Sequence, residues 1–399
     1  MDRAANLVQW LVSEGRFLAN NAELLPAFCE RLVAAGVPVS RAWLHIRALH
    51  PQFGGVSRDW RPGHPLEQRY FDHGIEKTEV YLNSPVRYAV ERRATADWRL
   101  DGPGKLPFPA LQELRAAGYV HYAVAPLVFS DGVANAISWA TEVRDGFSRD
   151  DLALLEAVLP AYSALVELKS LRRFARNMLA TYVGRAAGEL ILQGQIRRGD
   201  VRTIRAALML VDLRDFTALS DAMPPAAVVE MLNRYYDCVM RPVVERGGEI
   251  MEIMGDGILA IFNDRAEHDP HDACRLAFDA ATAGLAALEA ANRMPGATGP
   301  ELHAGFALHY GTVSYGNIGS DERLDFTVIG PDVNLTARIE RLCRELDRTL
   351  IMSAEFAARL DRPMFAIGHF RLRGFSRMQM LYGLPAEDEA ATPPSRAVG

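Results

Sequence analysis

The chain has 399 residues, long enough for two domains with their own cores, and its 49% hydrophobic and 24% charged content is that of ordinary globular proteins. A formal net charge of −6 argues against a general nucleic-acid binder. Cys29, Cys238, Cys274 and Cys343 stand apart with no CxxC spacing, which argues against a disulfide framework or zinc site and fits a reducing cytoplasm.

The N-terminal stretch to Arg16 has an early Asp2 and no long apolar core, so it does not read as a signal peptide. No uncharged apolar run in the chain approaches the ~18 residues of a membrane span. Residues 1–38 read as two amphipathic helices, with Leu7, Trp10 and Leu11, then Leu25, Phe28 and Leu32, at helical spacing. A β-rich middle follows: a strand over Ala42–Leu49, a turn at Gly54-Gly55, and a hairpin over Tyr119–Thr141 that turns at Ser130-Asp131-Gly132. Ser148, with Asp151 three residues on, predicts a capped helix start. Trp43, Trp60, Tyr70, Phe71, Trp98 and Trp139 suit a core, and some of them can line a pocket for a small ligand whose identity the sequence does not name. His45, His50, His64, His73 and His121 have no metal-ligand spacing.

From Leu152 to Gln195, apolar residues at three and four spacing (Leu155, Val158, Tyr162, Leu165, Leu168, Leu171) predict a long helix, kinked or ended at Pro160. Arg172, Arg173 and Arg176 lie beyond that stripe and read as a solvated face. A short helical element and a polar turn then lead to a buried strand, Ala207–Val211, which stops at Asp212. A turn through Leu213, Arg214 and Asp215 opens a helix at Phe216 and Thr217. A carboxylate at a strand end beside free helix-start amides can hold a cation and a phosphate together, or can simply cap the helix.

A long helix is expected over Pro225–Arg246, with Val228, Met231, Leu232, Tyr235 and Val239 on its packed face. Glu249–Met254 and Ile258–Phe262 read as a hairpin with Asp256 at its Gly-Asp-Gly tip. The run His268-Asp269-Pro270-His271-Asp272 is read as a helix start, with Asp269 as N-cap and Pro270 at the first helical position, rather than as a metal cluster. A helix over His271–Asn292, a strand over His303–His309 and a further hairpin follow. The strand Phe326–Ile329 then turns through Gly330-Pro331-Asp332 into a helix carrying Asn334 and Arg338 four apart on one face. The polar residues 386–399 read as a disordered tail.

ALMLVDLRDFT, GGEIMEIMGDGILAIF and FTVIGPDVNLTARIERL, in this order and spacing, resemble the catalytic domain of class III nucleotidyl cyclases over residues 201–385. The resemblance implies an α+β fold with a ferredoxin-like palm. It also implies cyclisation of a nucleoside triphosphate with two Mg²⁺ (or Mn²⁺) ions per site, held by Asp212 and Asp256. Phe216 and Thr217 would belong to the phosphate-cradling turn, Asn334 would orient the ribose, and Arg338 would stabilise the α-phosphate. Arg373 stands where the family places a lysine, in the strand before the C-terminal hairpin turn, to hold the terminal phosphates. Glu252 and Thr327 occupy the base-reading positions. Glu252 replaces the lysine usual in adenylate cyclases and suits guanine, whereas Thr327 matches bacterial adenylate cyclases. ATP is the expected substrate, with GTP the alternative. Asp215 departs from the family's glycine and places an extra carboxylate near the phosphates, to repel them unless it points away or caps the helix.

By the same resemblance the metal carboxylates come from one subunit and the base-reading, Asn and Arg residues from the other, in a head-to-tail homodimer with two identical composite sites. Residues 1–150 resemble a GAF-type sensor, and 151–200 a helical signalling linker. The expected protein is a cytoplasmic adenylate cyclase with no membrane span. The rival readings are a degenerate cyclase domain kept for binding or dimerisation and, more distantly, a diguanylate cyclase, which the single acidic residue of MGDG disfavours.

Overall fold

The computed structural model describes residues 3–47, 53–264, 270–294 and 299–384. His50, His268, Asp269, the last two residues of the strand expected to Leu49, and the tail 386–399 lie outside the described residues. The chain divides into two units, Met1–Met178 and Leu179–Gly399.

The first unit contains α1 (Arg3–Ser13), α2 (Asn21–Ala34), β1 (Arg41–Arg47), β2 (Gly55–Trp60), β3 (Glu67–Phe71), α3 (Glu79–Leu82), α4 (Pro85–Arg92), β4 (Ala96–Arg99), α5 (Pro109–Ala116), β5 (His121–Val128), β6 (Ala134–Thr141) and most of α6 (Arg149–Tyr182). Its strands form one antiparallel sheet in the order β3-β2-β1-β6-β5-β4. One face buries Leu44, Ile137 and Trp139 against Leu25, Phe28, Val158 and Tyr162 of the helices. The other buries Tyr122, Val124 and Ala140 with Ala89 of α4 and Leu111 of α5. Covering on both faces explains why β5 is nearly continuously apolar instead of alternating.

The expected cap of α6 forms: the Asp151 amide donates to Ser148 Oγ at 3.1 Å, and the Ser148 amide donates to Asp151 Oδ2 at 3.0 Å. Pro160 does not end the helix, which runs for 34 residues. Leu155 and Val158 before it, and Tyr162 and Val166 after it, are all buried in the same core, and that packing holds the helix through the missing hydrogen bond. A linker opening at residue 151 would therefore begin inside the core of the first unit.

The second unit continues with α7 (Arg185–Leu192), β7 (Val201–Leu213), α8 (Phe216–Ala222), α9 (Pro225–Glu245), β8 (Glu249–Met254), β9 (Gly257–Asn263), α10 (Pro270–Arg293), β10 (Ala304–Gly319), β11 (Leu324–Ile329), α11 (Pro331–Glu345), β12 (Leu350–Ser353), α12 (Ala354–Ala357), β13 (Phe365–Phe370) and β14 (Gln379–Gly383). Its sheet runs β13-β14-β12-β10-β7-β9-β8, with β11 paired to β10. The succession β7-α9-β8-β9-α10-β10, with β7 flanked by β10 and β9 and all three pairings antiparallel, is a ferredoxin-like βαββαβ arrangement. Met231, Tyr235 and Val239 of α9 and Ala277 and Phe278 of α10 pack on one face of this sheet.

Two strands exceed their sequence signal. β7 starts at Val201 instead of Ala207, and β10 extends to Gly319 instead of ending at His309. The two pair continuously from Leu213↔Ala304 to Val201↔Gly316, so ladder hydrogen bonds carry the polar half that lacks a core. Arg202 and Arg205 there lie over the rings of Tyr315 and Tyr310, at 5.0 and 5.1 Å. Among the described residues, no helix is long and apolar enough to cross a membrane.

Candidate active site

β7 is buried along Ala206–Met209 and delivers Asp212 to its end, half-buried and opposite Gly305 of β10. The β8–β9 turn delivers Asp256 to the same place, because β9 pairs with β7 up to Val211↔Ile258. Gly255 takes the left-handed φ of +63° that the turn requires. The Tyr236 hydroxyl of α9 donates to the Gly255 carbonyl and ties the turn down. A Cβ at Gly257 would stand 3.7 Å from Asp212 Oδ1, so the turn lies close against that carboxylate.

The two carboxyls come within hydrogen-bonding reach of each other. Burial, then the charge of Asp256, push Asp212 up to about 6, and the Arg344 guanidinium acts in the opposite direction. Arg344 Nη2 donates to Asp212 Oδ2 at 3.0 Å. Glu340, one helical turn before Arg344 on α11, is pushed up to about 7 by burial and then by Asp212. Such a concentration of carboxyl groups around one strand end calls for a cation. Among the described residues no group of three or more His, Cys, Asp or Glu side chains is arranged to hold a metal. The donor set is a carboxylate pair, and that suits magnesium, which binds through one or two carboxylates and takes its remaining oxygens from phosphate and water.

Beyond Asp212, the chain turns at Asp215 with φ +58°, a left-handed conformation that glycine adopts without strain. The Asp215 side chain is exposed and makes no capping hydrogen bond, so it does not cap α8. Phe216 packs on the core and Thr217 is exposed, and the amides at this helix start have no intrahelical acceptor.

Glu252 is exposed on β8 at an irregularity where Ile250 pairs with Ala260 and Glu252 with Leu259; Met251 is the extra residue. Such a bulge re-aims the side chains beside it. Thr327 is on β11, opposite Gly316, and its buried Oγ1 has no hydrogen-bond partner. β8 and β11 meet through Met251, Phe326 and Val328, so the two residues expected to read the base lie on strands in contact. Asn334 and Arg338 are exposed on α11, with no hydrogen bond or ion pair described for either side chain. The start of α11 is fixed by Asp332, whose Oδ2 accepts from the Thr312 amide at 2.7 Å and whose Oδ1 is 3.4 Å from His309 Nε2. Arg373 was expected in a strand; it is exposed in the turn that follows β13. Leu372 beside it is buried, and the Phe375 amide closes the turn on the Leu372 carbonyl.

Residues 201–382 match the family described as adenylate and guanylate cyclase catalytic domain. The chain contains a class III adenylate/guanylate cyclase catalytic domain. Curated relatives include an adenylate cyclase of Anabaena cylindrica, 31% identical over 49% of this chain and 38% of that protein. Adenylate cyclase 1 of Rhizobium meliloti is 28% identical over 58% of this chain and 35% of that protein. The chain thus spans little more than a third of either relative's length. A solved bacterial light-regulated adenylyl cyclase is 25% identical, with a TM-score of 0.47 over 55% of this chain and 63% of that one.

Within the cyclase domain, one chain brings together Asp212, Asp256 and the Phe216–Thr217 turn. Glu252 and Thr327 lie on β8 and β11, two strands in contact, and Asn334 and Arg338 lie on α11. Glu340 and Arg344, which contact or act on Asp212, carried no sequence signal of that role. Only the packing of α11 against β7 takes them to the strand end.

Proposed function

We propose that this protein is an adenylate cyclase that converts ATP to 3′,5′-cyclic AMP and pyrophosphate at two composite sites of a head-to-tail homodimer. The observation that carries this reading is the Asp212–Asp256 pair at the end of β7, set apart from the Asn334–Arg338 face of α11. At about 100° per residue, the Asn334–Arg338 stripe is turned roughly 120° from the Glu340–Arg344 stripe that faces Asp212. Arg338 also lies about 9 Å nearer the N-terminus of the helix than Arg344. One chain's metal pair and its own Asn/Arg pair therefore belong to different sites, and a second copy supplies the missing half of each.

Two magnesium or manganese ions at Asp212 and Asp256 would, when bound, neutralise the triphosphate and favour ionisation of the ribose 3′-hydroxyl. The helix-start amides at Phe216 and Thr217 donate to phosphate oxygens. Asn334 from the second copy orients the ribose so that its 3′-oxygen lies in line with the α-phosphorus and the leaving pyrophosphate. Arg338 donates to the α-phosphate oxygens as their charge grows, and Arg373 holds the terminal phosphates with a guanidinium in place of an ammonium. Thr327 has a buried hydroxyl without a partner, free to bond the purine edge.

The names of the curated relatives favour ATP. Glu252 favours a second reading, guanylate cyclase, because a carboxylate accepts from guanine N1–H and its amino group. We further infer that the first unit is a GAF-like sensor, on the order of its six-stranded sheet and its helices α1, α2 and α6 on one face. The cytoplasm, where nucleoside triphosphates are held, is the proposed location. The test is purified protein with magnesium or manganese, offered ATP and GTP separately, with products separated by chromatography. Cyclic AMP is expected to dominate; cyclic GMP as the main product transfers the assignment to GTP, and no cyclic product from either defeats it.

A further inference from the structure

The first unit contains a cavity of about 760 Å³ between the β1–β2 end of its sheet and α6. Val56, Phe129, Leu171 and Phe174 give it largely apolar walls. Into this wall is set Arg58, only 2% exposed. The alternation of β2 places Arg58 on the same face as Val56 and Trp60, toward the helices. Its Nε and Nη1 have no hydrogen-bond partner, and no ion pair is described for it.

A buried guanidinium without a counter-charge is costly, and proteins keep one where something else supplies the charge. The neighbourhood adds to the deficit. Arg173 of α6 lines the same cavity, half-buried and not on the solvated face expected for it. Burial, then the Arg173 charge, push Arg58 down to about 10. The carboxylates of the wall do not answer it. Both Glu167 oxygens accept from the Ser130 amide at 3.0 Å, and Asp131 Oδ1 accepts from the Val133 amide at 2.8 Å. Glu76 is not among the charges that act on Arg58.

Two buried amides point to the same conclusion. Asn21 Nδ2 donates to the Val166 carbonyl and to Ser170 Oγ, at 3.2 and 3.0 Å, which leaves Asn21 Oδ1 buried and unpaired. Asn135 Oδ1 accepts from the Arg47 amide at 2.8 Å, which leaves Asn135 Nδ2 unpaired. The cavity thus offers a cation, unmet donors, one unmet acceptor and an apolar lining.

We propose that this cavity binds a small carboxylic acid with an apolar body, its carboxylate held by Arg58. The apolar body lies against Val56, Phe129 and Phe174, and a hydroxyl or amide N–H on the ligand meets Asn21 Oδ1. Of the arginines lining the cavity only Arg58 is buried, Arg173 being half-buried and Arg47 exposed, so the apolar depth presents one guanidinium, which matches a single negative charge better than a phosphate dianion. The inference extends the sensory reading of the first unit and is independent of the cyclase chemistry.

The test uses the full chain. All five tryptophans, Trp10, Trp43, Trp60, Trp98 and Trp139, are in the first unit, so tryptophan-monitored melting reports on it alone. Benzoate, phenylacetate and hexanoate are compared with their primary amides, and phenyl phosphate is run beside them. At least one acid should raise the melting temperature by several degrees while its amide does not. Arg58→Met should abolish that response and melt higher than the unmodified protein without probe, since it removes a buried unpaired charge. If Arg58→Met fails to fold, Arg58→Lys serves instead and should weaken acid binding at least tenfold. The proposal is overturned if no acid shifts the transition, if the amides act equally, if phenyl phosphate alone acts, or if the Arg58 variants respond unchanged. None of these outcomes bears on cyclic-nucleotide production, so the two readings fail separately.

Discussion

Asp212→Asn should abolish turnover and yet make the metal-free protein more stable at neutral pH. In the folded chain the Asp212 carboxyl is held at about 6, against an ordinary 3.8. At about 1.4 kcal/mol per pH unit that difference amounts to ~3 kcal/mol as an upper limit. The side chain is 27% exposed, and solvent screening reduces the effect to ~1–2 kcal/mol. The sign follows from proton binding: the folded state holds this proton more tightly than the unfolded one. The stability it contributes is complete below about pH 4 and lost as pH rises through about 6. Asparagine has no charge to confine beside Asp256, so the variant escapes that loss. Urea unfolding in EDTA, followed by far-UV circular dichroism, measures the difference; tryptophan fluorescence identifies the first unit's transition so that it can be set aside. The variant should exceed the unmodified protein by ~1–2 kcal/mol at pH 7.5, with the gap closing toward pH 4. Magnesium should stabilise the unmodified protein and leave the variant unchanged. A variant less stable than its parent at pH 7.5 without metal would refute the account of burial and repulsion at this carboxyl.

Arg344→Ala removes the cation that opposes the rise in Asp212, so the acid limb of the pH–rate profile should move to higher pH; an unmoved limb means the ion pair has no influence on the site. Glu252→Lys replaces an acceptor with a donor at the purine edge and should raise the ATP:GTP activity ratio, measured with both nucleotides at equal concentration. Arg338→Ala should cost on the order of 10²–10³ in rate. Mixing it with inactive Asp212→Ala under subunit exchange should restore activity approaching half that of the unmodified dimer, because one composite site then carries both lesions and the other neither. If co-purification of tagged subunits demonstrates exchange and the mixture stays inactive, sites shared between copies are ruled out.

What the sequence determined by itself is what depends on a few neighbouring residues. The Ser148–Asp151 cap, the Gly-Asp-Gly tip carrying Asp256, the end of the buried run at Asp212 and the Pro331 start of α11 all appear where local chemistry puts them. The order of those motifs was enough to point to a cyclase domain. Tertiary packing decided the rest, because the groups involved are far apart in the chain. Leu155 to Val166 hold α6 continuous through Pro160, and pairing with β10 extends β7 back to Val201. Arg344 reaches Asp212 across 132 positions only because α11 lies against β7, and no periodicity in RIERLCRE encodes that meeting. Nothing in the sequence around Arg58 singles it out. That its donors are left unpaired is a property of the surrounding core, decided by where Glu167, Asp131 and Asn135 have already placed their own hydrogen bonds.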